Sequence, residues 1–233
     1  MNLRARIVGA LLVLSSAAFA ADEKITLRWN VLPQQRFEHQ VKIAIDAGEN
    51  GSVAATMHFA ERVISVTDQA VKTSMYVPGV SVMASGALAA ASTTFEEMKG
   101  LKYEKECDMT GKALTLAGMS GLGSSTVDLL LPKGEVGIGD IWQSSFNPNP
   151  AIGEVKITYR LESFDRDTAV IQADLAESEN LTVVKPYRFV VERMSGRYRS
   201  AEGALKMKLQ GMALSVSFSH RTIYPSRLRE NGA

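Results

Sequence analysis

Few side chains in this 233-residue chain are of types that do chemistry. There are three histidines, His39, His58 and His220, and a single cysteine, Cys107. Each histidine lies in an alternating segment. His39 falls on the apolar phase beside Phe37 and Val41, while His58 and His220 read as polar-face positions. No two histidines stand at a metal-ligand spacing, and no cysteine or carboxylate cluster completes a set, so no metal centre is expected. A Cys107–His nucleophile pair has no local motif behind it, and no Gly-x-Ser-x-Gly elbow occurs. The carboxylate pairs Glu96-Glu97 and Asp165/Asp167 fall on a helix surface and in a turn, where solvation accounts for them. The run GMSGLGSS (118–125) is rich in glycine, but it lacks the strand–loop–helix setting and the Lys-Ser/Thr ending of a phosphate cradle. The expectation is a chain that is not an enzyme and carries no cofactor.

The N-terminus reads as an export signal spanning 1–20. Arg4 and Arg6 give a positive start, Ile7 to Leu14 an apolar stretch, and Ala18-Phe19-Ala20 a small-x-small cleavage pattern. The stretch falls short of the roughly 20 residues that span a bilayer. The expected mature chain therefore has no transmembrane anchor and is periplasmic or secreted. Without Arg4 and Arg6 the net charge moves from +1 to −1. Signs are interspersed, which leaves no electrostatic footprint for nucleic acid. The late basic residues Lys185, Arg188, Arg193, Arg197, Arg199, Lys206 and Lys208 are broken by Glu192 and Glu202 and read as solvent-facing strand positions. A lone cysteine cannot form an internal disulfide, and in an oxidising compartment burial keeps it inert, so Cys107 is expected in the core.

The elements are almost all strands. Residues 24–31 put Ile25, Leu27 and Trp29 on one face. Residues 37–46 alternate cleanly, with Phe37, His39, Val41, Ile43 and Ile45 on one side. The turn Gly48-Glu49-Asn50-Gly51 leads into a return strand (52–66) whose apolar phase slips near Glu61-Arg62, the mark of a bulge. Pro78-Gly79 reads as the end of this meander. Ser81 to Lys99 then reads as one helix or two short ones, with a capping box at Thr93 or Thr94 and Gly100 just past its end. Further strands follow at 101–107, 112–117, 154–164, 168–175, 187–193, 197–209 (interrupted at Gly203) and 212–219. In the last, Ala213, Ser215, Ser217 and Ser219 make a short, uncharged face, either a wet sheet face or the lining of a shallow groove.

The stretch Thr126 to Gln143 organises the whole as a joint between two similar halves of one β-rich domain covering 21–225, followed by a polar tail, 226–233. Its L-P-K-G-E-V-G-I-G-D-I-W (131–142), with the Asp108 to Gly111 hairpin, resembles exported bacterial proteins of the domain-of-unknown-function group 6263. That resemblance carries no activity. It implies a strongly bent antiparallel sheet with a helix in its concavity, broadly similar to periplasmic lipoprotein carriers.

The fold expected is mainly β (α+β), a strongly bent antiparallel sheet or open half-barrel with one central helix. Such a sheet can take an apolar ligand on a concave face. The expected site is the helix face around Met83, Leu88 and Phe95, with the apolar face of Val41, Ile43 and Ile45. The expected partners are a hydrophobic small molecule or lipid, or alternatively a protein of the cell envelope met as a structural module.

Overall fold

The computed structural model describes residues 23–117, 129–146, 153–209 and 211–223. Among these residues thirteen strands and one α-helix follow in chain order. They are β1 (Lys24–Thr26), β2 (Arg36–Asp46), β3 (Ser52–Val66), β4 (Ala70–Ala84), α1 (Ala91–Glu96), β5 (Lys102–Asp108) and β6 (Ala113–Ala117). After these come β7 (Glu135–Gly137), β8 (Ile141–Phe146), β9 (Val155–Phe164), β10 (Thr168–Leu175), β11 (Leu181–Glu192), β12 (Tyr198–Leu209) and β13 (Met212–Ile223). Eleven strands form one antiparallel sheet in the order β6-β5-β4-β3-β2-β13-β12-β11-β10-β9-β8, and β1 pairs with β7 as a separate ribbon. Two meanders thus meet at a central seam, β2 against β13.

Period-two alternation decides which face is buried. Along β2, Phe37, His39 and Val41 are buried; along β10, Ala169, Ile171, Ala173 and Leu175 are. Inward residues from both meanders join one core cluster that runs from Val71 and Cys107 on one wing to Tyr159 and Leu161 on the other. This requires the sheet to bend. Hydrogen bonds across the bend fix it. The extended segment 24–32 turns Ile25, Leu27, Trp29 and Val31 inward. Its Trp29 N–H donates to Met109 O (3.0 Å) at the β5–β6 turn, and its Asn30 N–H donates to Ser195 O (2.9 Å) at the β11–β12 turn. Gly196 allows the second approach, because its φ is +67° and a Cβ there would stand 2.1 Å from Arg28 O. A second strap, 129–137, ties the sheet's two edges. Leu131 N–H donates to Thr110 O (2.8 Å), beyond β5, while the Trp142 indole of β8 donates to Leu130 O (2.6 Å). In the turn ahead of β8, Asp140 accepts the Gly137 N–H (2.9 Å). The sheet stays open, and the straps cross its concave side.

Several expectations change. Pro78-Gly79 does not end the meander; β4 runs through it to Ala84. Pairing with β5 stops at Tyr76, and the β3–β4 register shifts between His58 and Ala60, so Pro78 sits where the ladder asks for no N–H. Ser81 to Ala84, Met83 included, are therefore strand and not helix. The helix is α1 alone, after a 3-10 turn at Gly86–Leu88. It has no side-chain cap, and Thr93 and Thr94 lie inside it rather than at its start. Gly100 does close the segment at positive φ, +85°. The helix packs beside β4 with Phe95 half-buried, Met98 in the turn after it is buried, and the straps fill the concavity. Cys107 is buried, 1% exposed.

β12 is not interrupted at Gly203. Instead Gly203 leaves room for the buried Tyr187 ring, whose Cγ would stand 2.6 Å from a Cβ at that position. Burial pushes the Tyr187 phenol up to about 12. Gly203→Ala is expected to cost about 1–3 kcal/mol through overpacking. Ala204→Ser, on the opposite face, should stay within about 0.5 kcal/mol of the parent. Urea unfolding midpoints of the two variants check this.

Candidate functional site

The seam organises two places, one on each face of the sheet. On the inner face lies a buried polar cluster of His39 (β2), Glu61 (β3), Arg197 (ahead of β12), and His220 and Thr222 (β13), each 9% exposed or less. His39 is opposite Phe59 on β3 and Thr222 on β13. Its Nε2 lies 2.9 Å from Glu61 Oε2, which assigns the proton to that nitrogen, since a carboxylate only accepts. Nδ1 then accepts from His220 Nε2 at 3.1 Å. The Thr222 hydroxyl, 3.2 Å from the same Nδ1, donates to the Tyr198 carbonyl at 2.7 Å. Arg197 forks onto Glu61, with Nη1 3.1 Å from Oε1 and Nη2 on Oε2. Its guanidinium lies between Trp29 and Phe37, 4.7 and 4.5 Å from their ring centroids.

Electrostatics follow from this packing. Burial alone would raise the Glu61 carboxyl, but the Arg197 charge and the bonds from His39 and Arg197 hold it well below the usual carboxylate range. Burial, then neighbouring His39 and Arg197, push the His220 imidazole down to about 3, with Glu61 pulling the other way. The cluster is a sealed ionic knot joining β2, β3, β12, β13 and the first strap. Among the described residues, no group of three or more His, Cys, Asp or Glu is arranged to hold a metal ion.

On the outer face is a groove of about 380 Å³. Its floor is a line of register partners: Met83 opposite Ala54, Ala54 opposite Ala44, Ala44 opposite Ser217, Ser217 opposite Ala204, and Ala204 opposite Lys185. A parallel line two residues along holds Ser81, Thr56, Lys42, Ser219 and Glu202. Open sheet faces usually carry long polar side chains. Here alanine and serine leave the backbone low across neighbouring strands.

Of the expected site residues, Met83 lines this groove, 74% exposed at one end, and Ile43 borders it but shares the inward phase of Val41 and packs against the core. Val41 is core, and Phe95 packs against it. Leu88 and Ile45 are half-buried and belong neither to the core cluster nor to the groove lining. Ser217 and Ser219, from the serine face, are groove lining. His220 does not face outward: it shares the phase of Phe218 and is buried. Arg197 is not a solvent-facing position either; it is 5% exposed. The glycine-rich loop 118–125 and residues 126–128 of the joint lie outside the described residues, as do the leader 1–20 and the tail 226–233.

No family model matches the chain, and no curated protein matches it. Among solved structures, it is similar to lipovitellin, with a TM-score of 0.51 and 8% identity over 84% of this chain and 26% of that one. The likeness is one of fold. This chain spans about a quarter of that chain's length. An outer membrane lipoprotein-sorting protein domain from Vibrio parahaemolyticus (TM-score 0.25, 9% identity, 84% of this chain and 88% of that one) is a fainter match. So is a LolA superfamily protein from Nitrosomonas europaea (0.24, 12%, 82% and 87%). Neither of these scores carries an argument. No described helix is long and apolar enough to cross a membrane.

The knot makes stability depend on acid. His220 titrates near 6.5 when unfolded and near 3 when folded, so its contribution is complete above about pH 6.5 and is lost as pH falls toward 3. The contribution of Glu61 has the same sign, present above the unfolded carboxylate range and lost only in stronger acid. The unfolding free energy should therefore fall below pH 6.5 by up to about 1.4 kcal/mol per pH unit from this imidazole, and His220→Gln should flatten that slope. Glu61→Gln leaves Arg197 buried without its carboxylate and is expected to cost about 3–5 kcal/mol at pH 7. Urea titrations across pH 4–7.5 measure both.

Proposed function

We propose that this chain is an exported, non-catalytic protein that binds an apolar small molecule or lipid in the groove on the outer face of its sheet. The observation that carries the reading is the groove floor: five successive register partners from β4 to β12 with Met, Ala, Ala, Ser and Ala side chains, open to solvent. A floor of small and apolar side chains, with Lys42, Lys185 and Glu202 at its borders, offers apolar contact along a line without disturbing the core behind it.

The packing elsewhere favours this face. The concavity expected to receive a ligand is occupied by Leu27, Trp29, Val31, Leu129 and Leu131. The cluster of His39, Glu61, Arg197 and His220 is buried, which favours a structural role for it and leaves the groove as the place for a ligand. The lipovitellin likeness concerns fold, and the proposal rests on the groove itself.

Native mass spectrometry of the protein isolated from the cell envelope, followed by lipid extraction, tests the reading. A reproducible apolar adduct is expected, and Ala44→Trp, which fills the middle of the furrow from an exposed position, should release it while leaving the unfolding free energy within about 0.5 kcal/mol of the parent. A clean apo mass, or an adduct that survives Ala44→Trp, would overturn it and turn attention to an envelope protein partner.

A further inference from the structure

The two ends of the groove differ, and the difference bears on what it takes. At the β4 end the floor is Met83 with Ser81 beside it, and no charged residue of β4 faces the furrow. At the β11–β12 end stand Lys185 and Glu202, 2.8 Å apart and both about half exposed, with Lys206 two residues beyond Ala204. Lys42 flanks the middle on one side and Asp46 on the other. The balance over these five groups is one positive charge, weighted toward the β11–β12 end.

A β-bulge places the cation. Val183 pairs with Leu205, so regular register would set Val184 opposite Ala204. The register shifts between Val183 and Lys185, and Lys185 takes that place instead. Bulges re-aim side chains in this way. The displaced Val184 is left 58% exposed.

Dimensions restrict the occupant further. From Met83 to Lys185 the line crosses five inter-strand spacings, about 24 Å at roughly 4.8 Å each. Its flanking rows lie two residues away along each strand, roughly 7 Å to either side. That is room for one extended chain lying across the strands, not two side by side.

Resting on the reading above, we infer that the groove takes a single-chain amphiphile with an anionic head, its acyl chain along Met83–Ala54–Ala44–Ser217–Ala204 and its head at Lys185. Serine hydroxyls and the Lys42 stem border the chain, and Lys185 exchanges part of its pairing with Glu202 for the carboxylate or phosphate of the ligand.

Calorimetric titration of the purified protein with dodecanoate, 1-dodecanol and dodecyltrimethylammonium, each below its micelle threshold, reads the head preference directly. Dodecanoate should bind about three- to fivefold more tightly than the alcohol, the worth of an exposed ion pair, and the cation most weakly. Lys185→Gln should bring dodecanoate down to the level of the alcohol, while Ala44→Trp abolishes all three. Equal binding of the three by the parent, or a dodecanoate preference that survives Lys185→Gln, overturns the anionic head and leaves the groove reading standing. No binding at all, or binding indifferent to Ala44→Trp, overturns both.

Discussion

Everything described here hangs on the pairing of β2 with β13. These strands are distant in sequence, yet they are register partners from Glu38 opposite Ile223 to Asp46 opposite Ser215. The pairing joins two meanders, each made of neighbouring hairpins, into one sheet. It also creates both sites at once. Inward, it sets His39 beside Thr222 and His220; outward, it sets Ala44 beside Ser217. Loop closure over so long a separation must precede any return from these contacts. The seam therefore carries the larger loop-closure cost, and the hairpins on each side are local.

A seam between two apolar faces could close in more than one register. A slip of one residue would turn every side chain over, and burial forbids it. A slip of two keeps the apolar face inward and costs little in burial alone. The ionic knot supplies the missing discrimination. His39 reaches Glu61 on one neighbouring strand and His220 on the other, and Arg197 closes onto Glu61 from 136 positions away. Slide the second meander by two residues along β2 and His220 and Thr222 leave His39 while Arg197 leaves Glu61, so His39 Nδ1 and a buried charge pair stand unmatched in a dry interior. An unpaired buried polar group costs more than its pairing returns, so the knot acts chiefly against wrong registers.

How much of this could be read from the chain depended on range. Alternation at 37–46, 154–164 and 168–175 declared half-buried strands, and turns such as Asp108 to Gly111 declared hairpins, because both signals are local. Glu61 was legible in principle. It occupies the phase of Val53, Ala55, Met57 and Val63, and a carboxylate in an inward phase asks for a buried partner. His220 likewise shares the phase of Leu214 and Phe218. The partner was not legible, because Arg197 follows a turn and nothing near it in sequence mentions Glu61. Pro78 misled for the opposite reason: its local meaning is a break, and only the local end of β5 pairing makes it harmless. The straps were half visible. Ile25, Leu27 and Trp29 do form one apolar face, but which concavity they enter is a property of the assembled sheet.

The straps fill the inner face, which is why the proposed ligand groove lies on the outer one. A bent sheet of this size has more concave surface than one short helix can cover. Two extended segments meet that need, and they hydrogen-bond to turns and side chains at the sheet's margins rather than to its ladders. Filling the inside frees the outside from any packing duty at the seam, so the residues there can be small. Long charged side chains would serve solubility equally well on that face and would hide the exposed backbone better. A line of alanine and serine from β3 to β12, with methionine at one end and a bulge-placed lysine at the other, has no explanation in the stability of the sheet. On the proposal made above, it is a surface shaped for an elongated molecule with one apolar and one polar end.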